Sequence, residues 1–136
     1  MYCFDTDVLS ATTWRQPPLA LIRRLALVPA DQQHTTAITV GEMVYGVAKK
    51  AGSARARLVR DLVDETMRVL PFDARAGRIY GELRADLERS GTPLAEPDLR
   101  IAAIALCHDL TMVTGNDRHF ARVSGLRVEN WLSATS

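Results

Sequence analysis

Met1-Tyr2-Cys3-Phe4-Asp5-Thr6-Asp7-Val8-Leu9-Ser10 opens the chain and decides how the rest is read. Tyr2 to Phe4 is a short apolar run of β-favouring types that breaks into Asp5-Thr6-Asp7. A run that short, ending in acid, predicts a buried central strand whose carboxyl end opens onto a polar site. In open α/β sheets ligands bind at that end of the strands. A carboxylate there is costly to bury unless a cation or hydrogen-bond donors satisfy it. Fold and chemistry therefore both turn on what faces Asp5.

Working outward, apolar runs and helical patterns alternate. Asp5 or Thr6 can cap a helix reaching about Trp14. Pro17-Pro18 opens a second helix, whose broad apolar face holds Leu19, Leu21, Ile22, Leu25 and Leu27, and Pro29 ends it. Thr35 to Ile38 reads as a strand. Thr39-Val40-Gly41-Glu42 matches a capping box, with Val40, Met43, Val44 and Val47 on the inner face of the helix that follows. Ala51-Gly52-Ser53 is a stop and restart before a helix from Ala54 to Arg68, with Leu58, Leu62 and Val63 inside. Val69 to Phe72 is an edge strand, because Pro71 cannot donate to a ladder.

Asp73 caps a long helix to about Arg89. Gly77 and Gly81 within it are costly unless another backbone approaches closely there. Pro97 opens a helix backed by Ile101, Ala102, Ile104, Ala105 and Leu106. Thr111 to Thr114 is a strand ending in Gly115-Asn116-Asp117. A short helix to about Arg122 and a strand from Leu126 to Val128 precede Trp131. Strands alternating with helices predict an α/β fold with a mostly parallel sheet.

The bulk numbers narrow the class. A chain of 136 residues, 47% hydrophobic and 24% charged, suits one globular domain over 1–136. No apolar run has the length of a membrane span. An acid at position 5 with no basic stretch before it does not read as a signal peptide, so a cytoplasmic protein is expected. Cys3 and Cys107 sit in apolar segments without zinc spacing and read as reduced, buried thiols. Net charge is only +1, which gives no global attraction to nucleic acid. Of the 17 basic residues only Lys49 and Lys50 are lysines. Arginine suits phosphate contacts, and a GC-rich genome produces the same bias.

Asp5, Glu42, Asp98 and Asp117 share one context: each follows a strand or lies in the first turn of a helix packed on the sheet. All could point into one pocket at the carboxyl edge. Clustered carboxylates repel one another. A hard cation such as Mg²⁺ or Mn²⁺, which prefers oxygen ligands, relieves that. Taken singly each has an ordinary explanation. Asp98 suits a helix dipole, Glu42 completes a capping box, and Asp117 suits a turn. Asp5 is the hardest to explain so. His34, His108 and His119 are scattered and read as solvated or hydrogen-bonded. No Gly-rich phosphate loop, GxSxG or GxGxxG is present.

In order along the chain, Phe4-Asp5-Thr6-Asp7-Val8-Leu9-Ser10, Thr39-Val40-Gly41-Glu42-Met43-Val44-Tyr45-Gly46, Pro97-Asp98-Leu99-Arg100-Ile101-Ala102-Ala103 and Val113-Thr114-Gly115-Asn116-Asp117-Arg118-His119-Phe120 resemble the PIN-domain family, and within it the VapC-type toxins of bacterial toxin–antitoxin pairs. Tyr80-Gly81-Glu82-Leu83-Arg84 and Gly125 through Trp131 add to the likeness. The resemblance implies a three-layer α/β/α sandwich, commonly dimeric, and an endoribonuclease dependent on Mg²⁺ or Mn²⁺. It implies that Asp5 and Asp98 are direct metal ligands and that Glu42 binds a second metal or positions water. The substrate implied is a structured RNA, often tRNA or rRNA, and the partner a cognate antitoxin whose tail fills the site. Two positions depart from the family pattern. Asp7 stands where many relatives have Asn, and the fourth acidic position aligns with Asn116, a metal-ligand candidate, with Asp117 beside it. Thr6 and Thr114 are candidates for orienting the carboxylates.

Two other readings fit some of these residues. Phe4-Asp5-Thr6-Asp7-Val8 also matches the DxDx[TV] signature of haloacid-dehalogenase-type phosphatases, with Asp5 as nucleophile and Asp7 as general acid. That reading leaves Glu42 and Asp98 without roles. The other is a non-catalytic PIN-like binding module.

Overall fold

The computed structural model describes residues 1–49 and 54–133. Its centre is a five-stranded sheet in the order β3-β2-β1-β4-β5, with β1 at Tyr2–Phe4, β2 at Gln33–Thr36, β3 at Arg68–Leu70, β4 at Thr111–Val113 and β5 at Val128–Glu129. Every pairing is parallel. The first strand is thus the middle of the sheet, as its unbroken apolar character predicts.

Two cores lie on the two faces of the sheet, and the two-residue period of the central strands separates them. Cys3 and Met112 are register partners, as are Phe4 and Val113. Cys3 and Met112 face a core built by α5 (Ala74–Arg89), α6 (Glu96–Cys107) and α7 (Asp117–Phe120). Phe4 and Val113 face the other, which takes Val8 and Leu9 of α1 (Thr6–Thr12), Leu21 of α2 (Leu19–Ala26), Met43 of α3 (Ala37–Ala48) and Val59 of α4 (Ala54–Asp61). The fold is a three-layer α/β/α sandwich. Trp131 closes the second core. Its ring lies edge-on to Tyr2 and Phe4 and under the Arg24 guanidinium, 4.5 Å from the ring centroid.

Several local expectations are corrected. β2 begins at Gln33 and ends at Thr36, two residues earlier than the Thr35–Ile38 reading, and α3 starts at Ala37. Its cap is Thr36, whose hydroxyl accepts from Thr39 N–H at 3.0 Å, so Thr39 and Glu42 form no capping box. Val44 is exposed instead of inward-facing. α1 stops at Thr12, short of Trp14, and α4 gives way to a π turn at Leu62–Thr66, after which Arg68 already belongs to β3. Val59, not Leu58, is the buried residue of α4. On α2 only Leu21 is fully buried, and Leu19, Ile22 and Leu27 face outward. The last strand lies one or two residues later than Leu126–Val128. Gly77 and Gly81 meet no close neighbour. Cys107 is only half-buried, Cys3 is fully buried, and both thiols are free. His34 is buried with no partner for Nδ1 among the described residues. The expected break at Ala51-Gly52-Ser53 lies outside the described residues.

α5 and α6 pack antiparallel, and polar contacts lock them. Tyr80 Oη donates to Glu96 Oε2 at 2.6 Å, while Arg84 and Arg100 converge on the same Glu96 carboxylate at 3.0 and 3.3 Å. Those contacts hold the amino end of α6, and with it Asp98, over the carboxyl edge of the sheet. At the other end of α6, Arg75 donates to the Cys107 carbonyl.

Candidate active site

The chain leaves β1 toward β2 on one side and reaches β4 on the other, so the carboxyl ends of β1 and β4 form a topological switch point. Asp5 sits there. Its N–H is still in the ladder, donating to Val113 O at 2.9 Å, but its side chain leaves the sheet at the start of α1. Oδ1 accepts from Thr6 N–H at 2.8 Å and Oδ2 from the Thr114 hydroxyl at 2.7 Å. Asp5 is only 3% exposed, and burial pushes its carboxyl up to about 7. The hydrogen bonds from Thr114 and Thr6 work against that rise, and repulsion from Asp7 and Asp98 adds to it. Two donors are thus too few to keep this buried acid in the ordinary carboxylate range.

Glu42 arrives from the second turn of α3. Thr6 Oγ1 donates to Glu42 Oε1 at 2.6 Å, so one threonine orients both Asp5, through its N–H, and Glu42, through its hydroxyl. Asp98 stands in the first turn of α6. Its carboxyl is raised by its own burial and by the Glu42 carboxylate, with His119 opposing. Asp7 completes the group. Gly115 N–H donates to its Oδ2 at 2.9 Å, while Oδ1 is buried without a partner among the described residues. Burial raises this carboxyl too. A Cβ on Gly115 would stand 2.5 Å from Asp7 Oδ2 and 2.9 Å from Leu132, so only glycine lets this backbone come so near the acid.

The structure thus brings Asp5, Asp7, Glu42 and Asp98 into one electrostatic group and leaves Asp117 and Asn116 at its rim. Asp117 Oδ1 accepts from Asn130 Nδ2 at 3.2 Å, and repulsion on Asp5 and Asp98 comes from the other acids. Asn116 is exposed, and its N–H donates to Thr114 Oγ1 at 2.9 Å. Both line a cavity of about 190 Å³ with Gly115, Arg118 and His119. The sequence pattern identifies the threonines in advance. It carries no signal for His119 near Asp98, because only the short turn of α7 brings the imidazole there.

The donor set is all carboxylate oxygen, which suits a hard divalent cation. The raised carboxyls and the partnerless Asp7 Oδ1 are what such an ion would relieve. Among the described residues no three acidic, histidine or cysteine side chains are already grouped to hold an ion.

The PIN domain family matches residues 2–126. The chain belongs to the PIN-domain family. A relative in this family from Salmonella typhimurium, named tRNA(fMet)-specific endonuclease VapC, is 36% identical over 130 residues, covering 96% of this chain and 97% of its own. The solved VapBC2 of Rickettsia felis, bound to a DNA fragment from its promoter, superposes with a TM-score of 0.85 at 29% identity, over 96% of this chain and 98% of that one. A member of the VapBC family of toxin–antitoxin systems from Mycobacterium tuberculosis, VapBC-5, gives 0.69 at 30% identity, with 95% of each chain covered. This PIN domain is therefore a nuclease of the hydrolase class, on the VapC toxin branch of its family.

Proposed function

We propose that residues 1–136 form one PIN-like nuclease domain that acts as the toxin of a toxin–antitoxin pair, hydrolysing phosphodiester bonds of structured RNA with the help of Mg²⁺ or Mn²⁺. The observation that carries this reading is the buried Asp5 carboxylate at the β1–β4 switch point, held up at about 7 and flanked by three further acids. Asp5 and Asp98 would hold the cation, with Glu42 beside them; Asn116 and Asp117 serve the rim. When bound, the ion supplies Lewis-acid polarisation of the phosphate and a better water nucleophile.

The chain's own residues do the rest. Thr6 and Thr114 fix the Asp5 carboxylate. The Thr6 hydroxyl pins Glu42 Oε1 and leaves the second oxygen of Glu42 to take a proton from the attacking water. As the water oxygen bonds to phosphorus, the bond from phosphorus to the ribose oxygen breaks in line. That oxygen leaves with a proton from solvent. tRNA is the favoured substrate class, because the Salmonella relative is named for it. A cognate antitoxin partner is supported by the VapBC assemblies that share the fold. Homodimerisation and a cytoplasmic location complete the reading, and no described helix is long and apolar enough to cross a membrane.

The phosphatase alternative needs Asp7 free as a general acid. Here one Asp7 oxygen is bonded to Gly115 N–H and the other is buried. Mapping of cut sites in total cellular RNA incubated with the purified chain and Mn²⁺ tests the proposal. Discrete new 5′ ends that vanish in the Asp98→Asn variant are expected. Identical RNA profiles with and without the protein would leave the non-catalytic binding module as the better account.

A further inference from the structure

An acidic site that must receive a polyanion needs cations beside it, because RNA approaching four carboxylates is repelled until something compensates. The sheet order β2-β1-β4 gives the cluster two flanks. On the β4 flank, the turn at Gly115-Asn116 and the first residues of α7 line the cavity of about 190 Å³, and Gly115 N–H is hydrogen-bonded directly to Asp7. Arg118 is exposed on α7 and makes no hydrogen bond or ion pair among the described residues. The Asp117 carboxylate in the same cavity is turned to Asn130 instead. On the β2 flank, Ser10, Glu42 and Arg55 line a cavity of about 50 Å³. Arg55 is tethered there by Nε, which donates to Thr13 Oγ1 at 3.0 Å, and this leaves its two terminal amino groups free of described partners. By contrast Arg24, Arg84, Arg89, Arg100 and Arg127 are all paired with carboxylates.

The geometry points to Arg118 and Arg55 as a two-sided clamp for RNA backbone phosphates, one on each flank of the carboxylate cluster, drawing the strand across Asp5 and Asp98. Both are positioning residues, and the inference rests on the ribonuclease reading above. Arginine suits the role because its planar fork meets a phosphate with two parallel bonds. Bonds to phosphate carry no base information, so the clamp sets register on the strand and leaves sequence choice to other surfaces.

Binding of a labelled tRNA pool by the non-cutting Asp5→Asn chain, measured across a salt series, tests this. Every phosphate that the protein ceases to neutralise lowers the slope of log affinity against log salt by about 0.7–0.9. Arg118→Ala and Arg55→Ala should each lower it by that amount and weaken binding several-fold, and the double variant should lower it by about twice as much. Arg118→Lys should retain the slope. Arg75→Ala, at the far end of α6 from Asp98, should leave it unchanged. In the cutting chain the two alanine variants should raise KM more than they lower kcat. Unchanged slopes in both, or a change in only one, would overturn the clamp. An Asp5→Asn parent with no salt-dependent RNA affinity of its own would overturn the ribonuclease reading and the clamp together, a result distinct from unchanged slopes in the variants.

Discussion

At the residue scale the Asp5 carboxyl matters most. A carboxyl raised to about 7 from an ordinary 3.8 binds its proton more tightly folded than unfolded. Its contribution to stability is therefore fully present below about 3.8 and is lost as pH rises through about 7. Asp7 and Asp98, also raised, act in the same direction. With chelator present, the chain should melt at a higher temperature at pH 5 than at pH 8, and Asp5→Asn should flatten that dependence. Added Mn²⁺ should restore stability at pH 8, since the ion competes with the proton for the same oxygens. A wild-type melting temperature that does not fall between pH 5 and pH 8 would remove the buried-acid premise. Gly115 is the second critical position. Gly115→Ala sets a methyl against Asp7 Oδ2 and Leu132, and should cost about 2 kcal/mol in urea unfolding, the range for overpacking combined with a broken hydrogen bond.

At the scale of elements, the helix caps show what a sequence reveals and what it hides. Asp73 caps α5 as its position before the helical pattern predicts, accepting from Ala76 N–H at 3.0 Å. At α3 two threonines stand one turn apart, and both fit a cap. The structure chooses Thr36 because β2 is more polar than strand patterns lead one to expect: His34, Thr35 and Thr36 are all buried. Thr35 solves its burial by donating to Phe4 O at 2.8 Å, and Thr36 by capping. Neither bond is visible in local composition. Thr36→Ala should lower stability by about 1 kcal/mol. A change smaller than a few tenths would show that the cap is not the stabilising contact. Gly81 offers the opposite test. With open space where a Cβ would stand, Gly81→Ala should raise stability by about 0.5–1 kcal/mol. A destabilised variant instead would contradict the open space at Gly81.

At the scale of the whole molecule, the central strands are the most legible part of the sequence. Cys3 and Phe4, like Met112 and Val113, split between two cores by simple alternation, and that alone places β1 and β4 at the centre. Long-range closure is less legible: Trp131 reaches back to Phe4 and Tyr2 from the other end of the chain, and α6 is anchored through Glu96 by residues of α5. The acids divide the same way. Asp5 and Asp98 lie at the strand end and helix start that their sequence positions predict, whereas Asp117 is turned to Asn130 and Asn116 is exposed, which no spacing rule foresees.

Carboxylates gathered at the β1–β4 switch point that cut RNA with a divalent cation would make the rate depend on both the ion and Asp5. The most direct measurement is the single-turnover cleavage rate of a labelled tRNA pool against Mn²⁺ concentration, for the wild type and Asp5→Asn. The wild-type rate should rise to saturation with Mn²⁺ and vanish in chelator. Asp5→Asn should slow cleavage by more than about 100-fold, the most that removing a group which merely supports a metal ligand costs. Equal rates for the two proteins, or full wild-type activity in chelator, would contradict a metal-dependent site built on Asp5.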